Sequence, residues 1–555
     1  MATFTVTNLF DSGTGSFRQA IFDANATTGA DDILFNEGLS GGTINLTSGE
    51  LLIADDLTIK GLGADVLTVD AGGLSRVFNI DDGVDDSFID VLIDGLTITG
   101  GKAPSSGSSF SSVQNSGGGI LSRENLAINS SIISKNNGGG GIFSQDSDLT
   151  VTNSMISGNL GDGITINSPS SLDQIAHVRV ANTTISGNSA NGIFNYNSNL
   201  EVTQSTISGN STSGIVNFAD SFLPGNSYIN GKTILTDSYV SDNLGRGIVN
   251  EGNMEVSNST ISNNSGGGID QESIATNRFG FVLGRLTVKN SIITGNKTNS
   301  NGGGIYKGSG ELYITNSTIS NNQAVGNGGG IHIRPTFLYN TVDVTNSTIS
   351  GNVALGNGGG VYIGLSITQV SNSTVSDNVA FGSGGGISTL VPDDFPFIPF
   401  DPAINNTIIA GNNGTKPDVE GDFTSNGFNL LGNTTGSTGF ENDLIEPDIT
   451  KILDTTLADN GGSTLTHALI LGSPAIDAGN NNDVLVGITT DQRGMGFNRI
   501  VDGNNDTIAI VDIGAFEVQP PPSTSVPEPS SMFGLVGLVI LGTGSLLRRK
   551  LQSKS

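Results

Sequence analysis

The residues able to do chemistry are mostly carboxylates. Asp31-Asp32, Asp55-Asp56, Asp81-Asp82, Asp85-Asp86 and Asp393-Asp394 are adjacent pairs. Paired carboxylates serve general acid–base catalysis or hold Ca²⁺. Each pair also sits in or beside a turn, where Asp is favoured for bonding its own backbone. Of these, Asp81 to Asp86 is the strongest inner candidate for a cation. Asp502-Gly503-Asn504-Asn505-Asp506 sets oxygens at positions 1, 3 and 5 of a calcium-type loop, with Thr507 in place of the glycine at position 6. Position 12 is Ile513, and Asp512 falls one place early. Asp502, Asn504, Asp506 and Asp512 are therefore a candidate Ca²⁺ set, against the plainer account of an Asn/Asp/Gly turn. No other cofactor is implied. There is no Cys, which removes thiolate ligands, Cys nucleophiles and disulfides, and there are three His. His332, in Ile331-His332-Ile333-Arg334, is expected to face outward alone. No phosphate-binding loop occurs. The balance of 23 Lys and Arg against 52 Asp and Glu, net −29, excludes nucleic acid as a partner.

The elements that must position these groups repeat. Asn-Ser-Thr-Ile-Ser-Gly-Asn, or a near copy, closes at Asn136, Asn159, Asn188, Asn210, Asn243, Asn264, Asn296, Asn322, Asn352, Asn378 and Asn412, at intervals of 21 to 34 residues. After each of the first ten comes a Gly-rich turn and an aliphatic residue: Ile142, Ile164, Ile193, Ile215, Ile248, Ile269, Ile305, Ile331, Val361 and Ile387. That turn lengthens from Asn296 onward, with Gly-Gly-Gly before each aliphatic. Ala324-Val325, Ala354-Leu355 and Ala380-Phe381 in the longer turns form an apolar line, either exposed or packed loop on loop.

One copy holds three short apolar segments, such as Ile142-Phe143, Leu149-Thr150-Val151 and Met155-Ile156, separated by turn residues. Three strands and three corners in 21–23 residues make one coil of a parallel β-helix. The fold class is thus all-β, a parallel β-helix of roughly 15–18 coils, about 70–90 Å long at ~4.8 Å per coil. The recurring Asn residues are expected to stack as a ladder, aliphatics to fill the bore, and some Ser and Thr to face water.

Residues 1–30 read as an N-terminal cap. Ser16-Phe17-Arg18-Gln19 has the form of a capping box, and Phe17, Ala20, Ile21 and Ala24 lie on one helical face. The coils occupy 31–439, a C-terminal cap 440–518, and a Pro/Ser linker 519–526. Within 527–555, the 16 uncharged residues Met532 to Leu547 read as a C-terminal transmembrane helix, closed by Arg548-Arg549-Lys550. Met1 to Val6 has no basic n-region or apolar core. An exported chain then implies a start upstream or another route.

Three segments carry resemblances. Thr5-Val6-Thr7-Asn8 with Gly15-Ser16-Phe17-Arg18-Gln19-Ala20-Ile21 resembles the opening of bacterial surface β-helix proteins of the CSLREAI type, with Gly15 where that pattern has Cys. Ser473-Pro474-Ala475-Ile476-Asp477, Asp491-Gln492-Arg493 and Asp512-Ile513-Gly514-Ala515-Phe516-Glu517 resemble the choice-of-anchor Q domain. Val526-Pro527-Glu528-Pro529, the apolar run and Arg548-Arg549-Lys550 are similar to a PEP-CTERM sorting signal. More weakly, the repeats resemble those of polymorphic outer-membrane proteins. These resemblances imply a right-handed parallel β-helix of a Gram-negative cell envelope, surface or exterior, with cyanobacteria among the possible sources. They also imply processing by an exosortase-type enzyme, membrane attachment through the tail before processing, and extracellular polysaccharide as a partner. The expectation is a non-catalytic surface or matrix protein. The competing expectation is a polysaccharide lyase or glycoside hydrolase on a pectate-lyase-like coil. Against it, the Gly-His-Gly, Arg-Ile-Lys and Asn-Thr-Asp motifs of polygalacturonase-like sites are absent, and no catalytic residue is assigned.

Overall fold

Each repeat closes one coil because its seven-residue motif bends the chain twice. In the computed structural model, the first Asn of the motif takes a left-handed conformation at 153, 182, 258, 290, 316, 346, 372 and 406, with φ of 46–52°. Asn tolerates this region better than other residues with a Cβ. The sixth residue repeats the bend, as Gly158, Gly187 and Gly209 (each φ 62°) or as Asn263 and Asn321 (φ 56° and 55°). Three of the four residues between form a strand with one inward aliphatic, as in Thr184–Ser186 and Thr206–Ser208. The structure describes residues 1–520 except 85–86, 105–115, 169–174, 219–230, 273–283, 336–339 and 390–400.

The strands stack into three long parallel sheets of 16, 15 and 16 strands. The first runs from Thr3–Val6 to Thr424–Ser425, the second from Leu51–Ile53 to Ser437–Thr438, and the third from Thr43–Asn45 to Leu444–Ile445. The protein is a right-handed parallel β-helix. Register is kept from coil to coil, so that Ile142, Ile164, Ile193 and Ile215 form one inward column and Ile156, Ile185, Ile207 and Val240 another. All are fully buried in a continuous core. From Lys297 the lengthened corner adds a fourth, four-stranded sheet: Lys297–Thr298, Gln323–Ala324, Val353–Ala354 and Val379–Ala380. In it Ala324, Ala354 and Ala380 are buried, whereas Val325, Leu355 and Phe381 are exposed.

Helix Phe17–Asn25 covers the open N-terminal end with Phe17, Ala20, Ile21 and Ala24, the four residues its periodicity indicates. Phe17 meets Phe35 and Phe78 at centroid distances of 5.0 and 6.1 Å. Half of the capping box forms: Ser16 Oγ accepts from the Gln19 N–H at 3.2 Å, but the Gln19 amide donates onward to Asp23.

Residues 440–518 do more than close the last coil. They run back along the outward face of the third sheet. Thr318 Oγ1 donates to the Leu465 carbonyl at 2.6 Å, Thr348 Oγ1 to Gln492 Oε1 at 2.6 Å, and Ser350 Oγ pairs with His467 Nε2 at 2.8 Å. Farther on, Thr374 Oγ1 accepts from the Ala515 N–H at 3.0 Å. The expectation of a water-facing Ser/Thr row is therefore corrected in these coils. Thr318, Thr348 and Thr374 are buried, whereas Thr184 and Thr206 on uncovered coils are half-buried. The hydroxyls exchange water for backbone and amide partners.

Among the described residues no helix is long and apolar enough to cross a membrane. Met532 to Leu547 lies outside them, as do Val526, Pro527, Glu528, Pro529, Arg548, Arg549, Lys550, Asp393 and Asp394.

Candidate functional site

The eleven closing Asn residues lie one above the next and are nearly all fully buried. From Asn136 to Asn378, each Nδ2 donates to the Oδ1 of the following rung at 2.9–3.0 Å. That Oδ1 also accepts the backbone N–H of the same donor residue at 3.0–3.1 Å. The donors all point toward the C-terminal end. There Asn412 gives both its N–H and Nδ2 to Asp418 Oδ1, at 3.0 and 2.8 Å. Burial pushes the Asp418 carboxyl up to about 6, against the lowering effect of those bonds.

A second ladder occupies the second motif position and was not singled out from sequence. From Ser131 to Ser373, each backbone N–H donates to the hydroxyl of the next rung at 3.1–3.4 Å. It passes through Thr407 to Asn429, whose N–H and Nδ2 both reach Asp443 Oδ1. Both ladders thus end on an aspartate, a group with no donor when ionised.

The bore also carries a shorter polar row. Asn195 donates to Asn217 at 2.6 Å, Asn217 to Asn250 at 2.8 Å, and Asn250 to Gln271 at 2.8 Å. Lys307 is next in register. Its ammonium is fully buried and donates to the Gly284 carbonyl at 3.0 Å and to the Ser309 carbonyl. Burial holds its pKa down to about 7.

The clearest concentration of reactive groups lies on the outward face of the second sheet. Asp270, Tyr306, His332, Tyr362, Ser388 and Glu420 are successive residues of one column. The Tyr306 and His332 rings stack at 5.4 Å and 9°, and the His332 and Tyr362 rings at 5.0 Å and 4°. His332 does face outward, yet it is only 4% exposed. The first glycine of each Gly-Gly-Gly corner folds against this column. A Cβ at Gly328 (φ +68°) would lie 2.8 Å from His332 Cα and 2.3 Å from the Ile331 carbonyl. Burial, and secondarily Arg334, pull the His332 pKa down to about 4, so the ring is neutral at pH 7. Its Nδ1 has no protein partner.

Asp270 is 3% exposed and pairs with the Arg246 guanidinium, which is 44% exposed. Its Oδ1 is buried without a partner. Burial raises its pKa to about 6, although Arg246 opposes this. At the other end of the column, Ser388 Oγ donates to Glu420 Oε2 at 3.1 Å.

The paired carboxylates are largely engaged locally. Asp55 Oδ1 accepts the Asp56 N–H, Asp56 Oδ1 accepts the Asp90 N–H, and Asp32 meets Lys60 at 3.2 Å. Asp81, Asp82 and Glu124 bring ligand atoms within 4.8 Å of one another. Arg123 pairs with Asp81, and both Glu124 oxygens accept backbone N–H groups, from Asp82 and Ile89. Burial and the neighbouring Asp82 raise Glu124 to about 7.

In the 502–506 loop, Asp502 Oδ1 and Asn504 Oδ1 accept the Asp506 N–H, and Asp502 Oδ2 accepts the Thr507 N–H. Asp506 Oδ1 accepts the Ile508 N–H. Asp512 turns elsewhere: its two oxygens accept from Asp477 and Val518, and it is fully buried.

Comparison with known proteins agrees with the architecture. A family model described as "Right handed beta helix region" matches residues 87–234, and one described as "PEP-CTERM protein-sorting motif" matches 525–550. No curated protein matches the chain. Solved structures similar to it include these three. The A-module of mannuronan C-5 epimerase AlgE4 from Azotobacter vinelandii has 12% identity and a TM-score of 0.37, over 79% of this chain and 100% of that one. Pectate lyase Pel9A has 13% identity and a TM-score of 0.28, over 94% and 97%. Tailspike protein 3 of bacteriophage CBA120 has 12% identity and a TM-score of 0.35, over 79% and 58%.

Fold and motif together define a parallel β-helix protein with a PEP-CTERM sorting motif. The motif indicates export and sorting to the envelope of a Gram-negative bacterium, with processing by an exosortase.

Proposed function

We propose that the chain is a non-catalytic surface or matrix rod that contacts extracellular polysaccharide or other cells. The observation carrying this reading is the joining of a long acidic solenoid, in a chain of net charge −29, to a sorting motif at 525–550. In this proposal Met532 to Leu547 is a transmembrane anchor held until processing, residues 440–518 are a choice-of-anchor Q-like module, and the source is a bacterium of the cyanobacterial kind. Asp502, Asn504, Asp506 and Asp512 stand as a Ca²⁺ proposal, in which the ion would displace bonds those groups now make to backbone N–H.

A second reading, a polysaccharide lyase or hydrolase, draws support from the Asp270–Tyr306–His332–Tyr362 column with Arg246 beside it. Incubating the purified full chain with a panel of anionic polysaccharides and following product release separates the two. The first reading expects retention without turnover. Turnover that disappears in Asp270→Asn replaces it with the second. Sorting is tested by replacing Pro527-Glu528-Pro529 in cells carrying an exosortase: the tail should stay attached, and an unchanged mature mass counts against the signal.

A further inference from the structure

The solenoid widens where its fourth sheet begins. The corner of the coil at Gly266 to Gly268 is short, and the next, after Asn296, is long enough to add the edge strand Lys297–Thr298 of the fourth sheet. The longer corner leaves a cleft of about 130 Å³ at this step, lined by Arg246, Asp270, Glu272, Thr298, Ser300 and Tyr306.

Three features of the cleft call for a ligand. Asp270 contributes a buried carboxylate oxygen with no partner, a costly group to leave unsatisfied. Arg246 holds the other side of that carboxylate while almost half exposed, so its guanidinium retains N–H groups for a further acceptor. Tyr306 ends a ring stack: one face lies on His332, and the other is turned toward the Asp270 coil. A metal ion suits this poorly, since the guanidinium already neutralises Asp270 and would repel it. A flat apolar ligand would leave the Asp270 oxygen unpaired. The complementary shape has O–H donors and oxygen acceptors on its edge and C–H groups on its face.

We propose that this cleft is a subsite for one pyranose ring. A hydroxyl donates to Asp270 Oδ1, a neighbouring oxygen accepts from Arg246, and the ring lies against the Tyr306 face turned toward the Asp270 coil. The volume, below the roughly 300–1,000 Å³ of drug-sized pockets, suits one sugar unit better than a chain. The proposal rests on the polysaccharide-contact reading and deepens it.

The test uses the purified full chain and ligand-observed NMR with methyl glucopyranoside, methyl galactopyranoside and methyl galacturonoside, alongside CaCl₂ alone. At least one glycoside should bind saturably, and Asp270→Asn should weaken it at least about tenfold. Ser300→Trp fills the cleft from an exposed rim position and should abolish binding even if Asp270→Asn misfolds. Undiminished glycoside binding in Ser300→Trp, or a response to CaCl₂ alone, overturns the subsite. Co-sedimentation with whole polysaccharide tells the two failures apart. If the wild-type chain and Ser300→Trp sediment equally, the subsite is wrong and the wider reading stands. If the wild-type chain neither sediments nor binds any glycoside, both fall.

Discussion

Removing one rung from the middle of the Asn ladder should open the rod locally. In Asn264→Ala, the neighbouring Asn243 loses the only acceptor of its backbone N–H and one of two acceptors of its Nδ2, which keeps the Ile207 carbonyl at 3.3 Å. The bonds from Asn264 Nδ2 to Asn296 and to the Val240 carbonyl also vanish, but Asn296 Oδ1 still receives the backbone N–H of residue 264. One orphaned buried N–H costs about 1–3 kcal/mol, and each lost net bond about 1 kcal/mol. A water entering the vacated space recovers part of this, leaving about 2–4 kcal/mol. Because the Asn264 rung bonds to the coils directly before and after it, the loss concentrates there. The assay is hydrogen exchange followed by mass spectrometry, comparing peptides around 236–265 with distant coils. The exposed Asn299→Ala serves as control. Protection around Asn243 should fall by about 30-fold or more, as 2–4 kcal/mol implies, with distant coils unchanged. Equal exchange in the two variants would refute the claim that the amide ladder holds adjacent coils together.

Further outcomes at three residues follow from the same reasoning. Lys307 titrates near 7 when folded and near its ordinary value when unfolded, so the unfolded chain binds the extra proton between about 7 and 10.4 and stability rises with pH across that window. Lys307→Met should flatten that slope and raise the unfolding free energy at pH 7, read from urea denaturation, by an amount on the order of a few kcal/mol. His332, held near 4, should show no imidazole titration between pH 8 and 5 by NMR. Its share of stability is lost as pH falls from about 6.5 toward 4, a loss that His332→Phe should remove. Gly328→Ala places a Cβ against His332 Cα and the Ile331 carbonyl at positive φ; a loss of about 2 kcal/mol or more in thermal unfolding is expected, with altered Tyr306 and Tyr362 ring shifts.

The period of the closing Asn residues and their following aliphatics was legible because identical environments select identical residues. So was the apolar face of the N-terminal helix, a local pattern. The Ser/Thr ladder was present in the same motif, one place after the left-handed Asn, but a hydroxyl there reads equally as an ordinary turn residue. Asp418 and Asp443 terminate their ladders once each, so no repetition marks them. The ring column was hidden differently. Tyr306, His332 and Tyr362 each follow an inward aliphatic by one residue, at separations of 26 and 30, and His332 weighed alone carried no sign of its neighbours. The course of residues 440–518 along the third sheet depends on contacts across more than a hundred residues, such as Thr348 with Gln492, which no local pattern encodes.

Ladders whose rungs all face one way give the rod a gauge. Every interior rung hands the same donors forward and the same acceptors back, so a duplicated or deleted repeat meets familiar neighbours at both new junctions. Length can then drift by whole turns through copying of short stretches of gene, with the helix at one end and the aspartates at the other left untouched. A solenoid built on this plan sets its length by counting repeats.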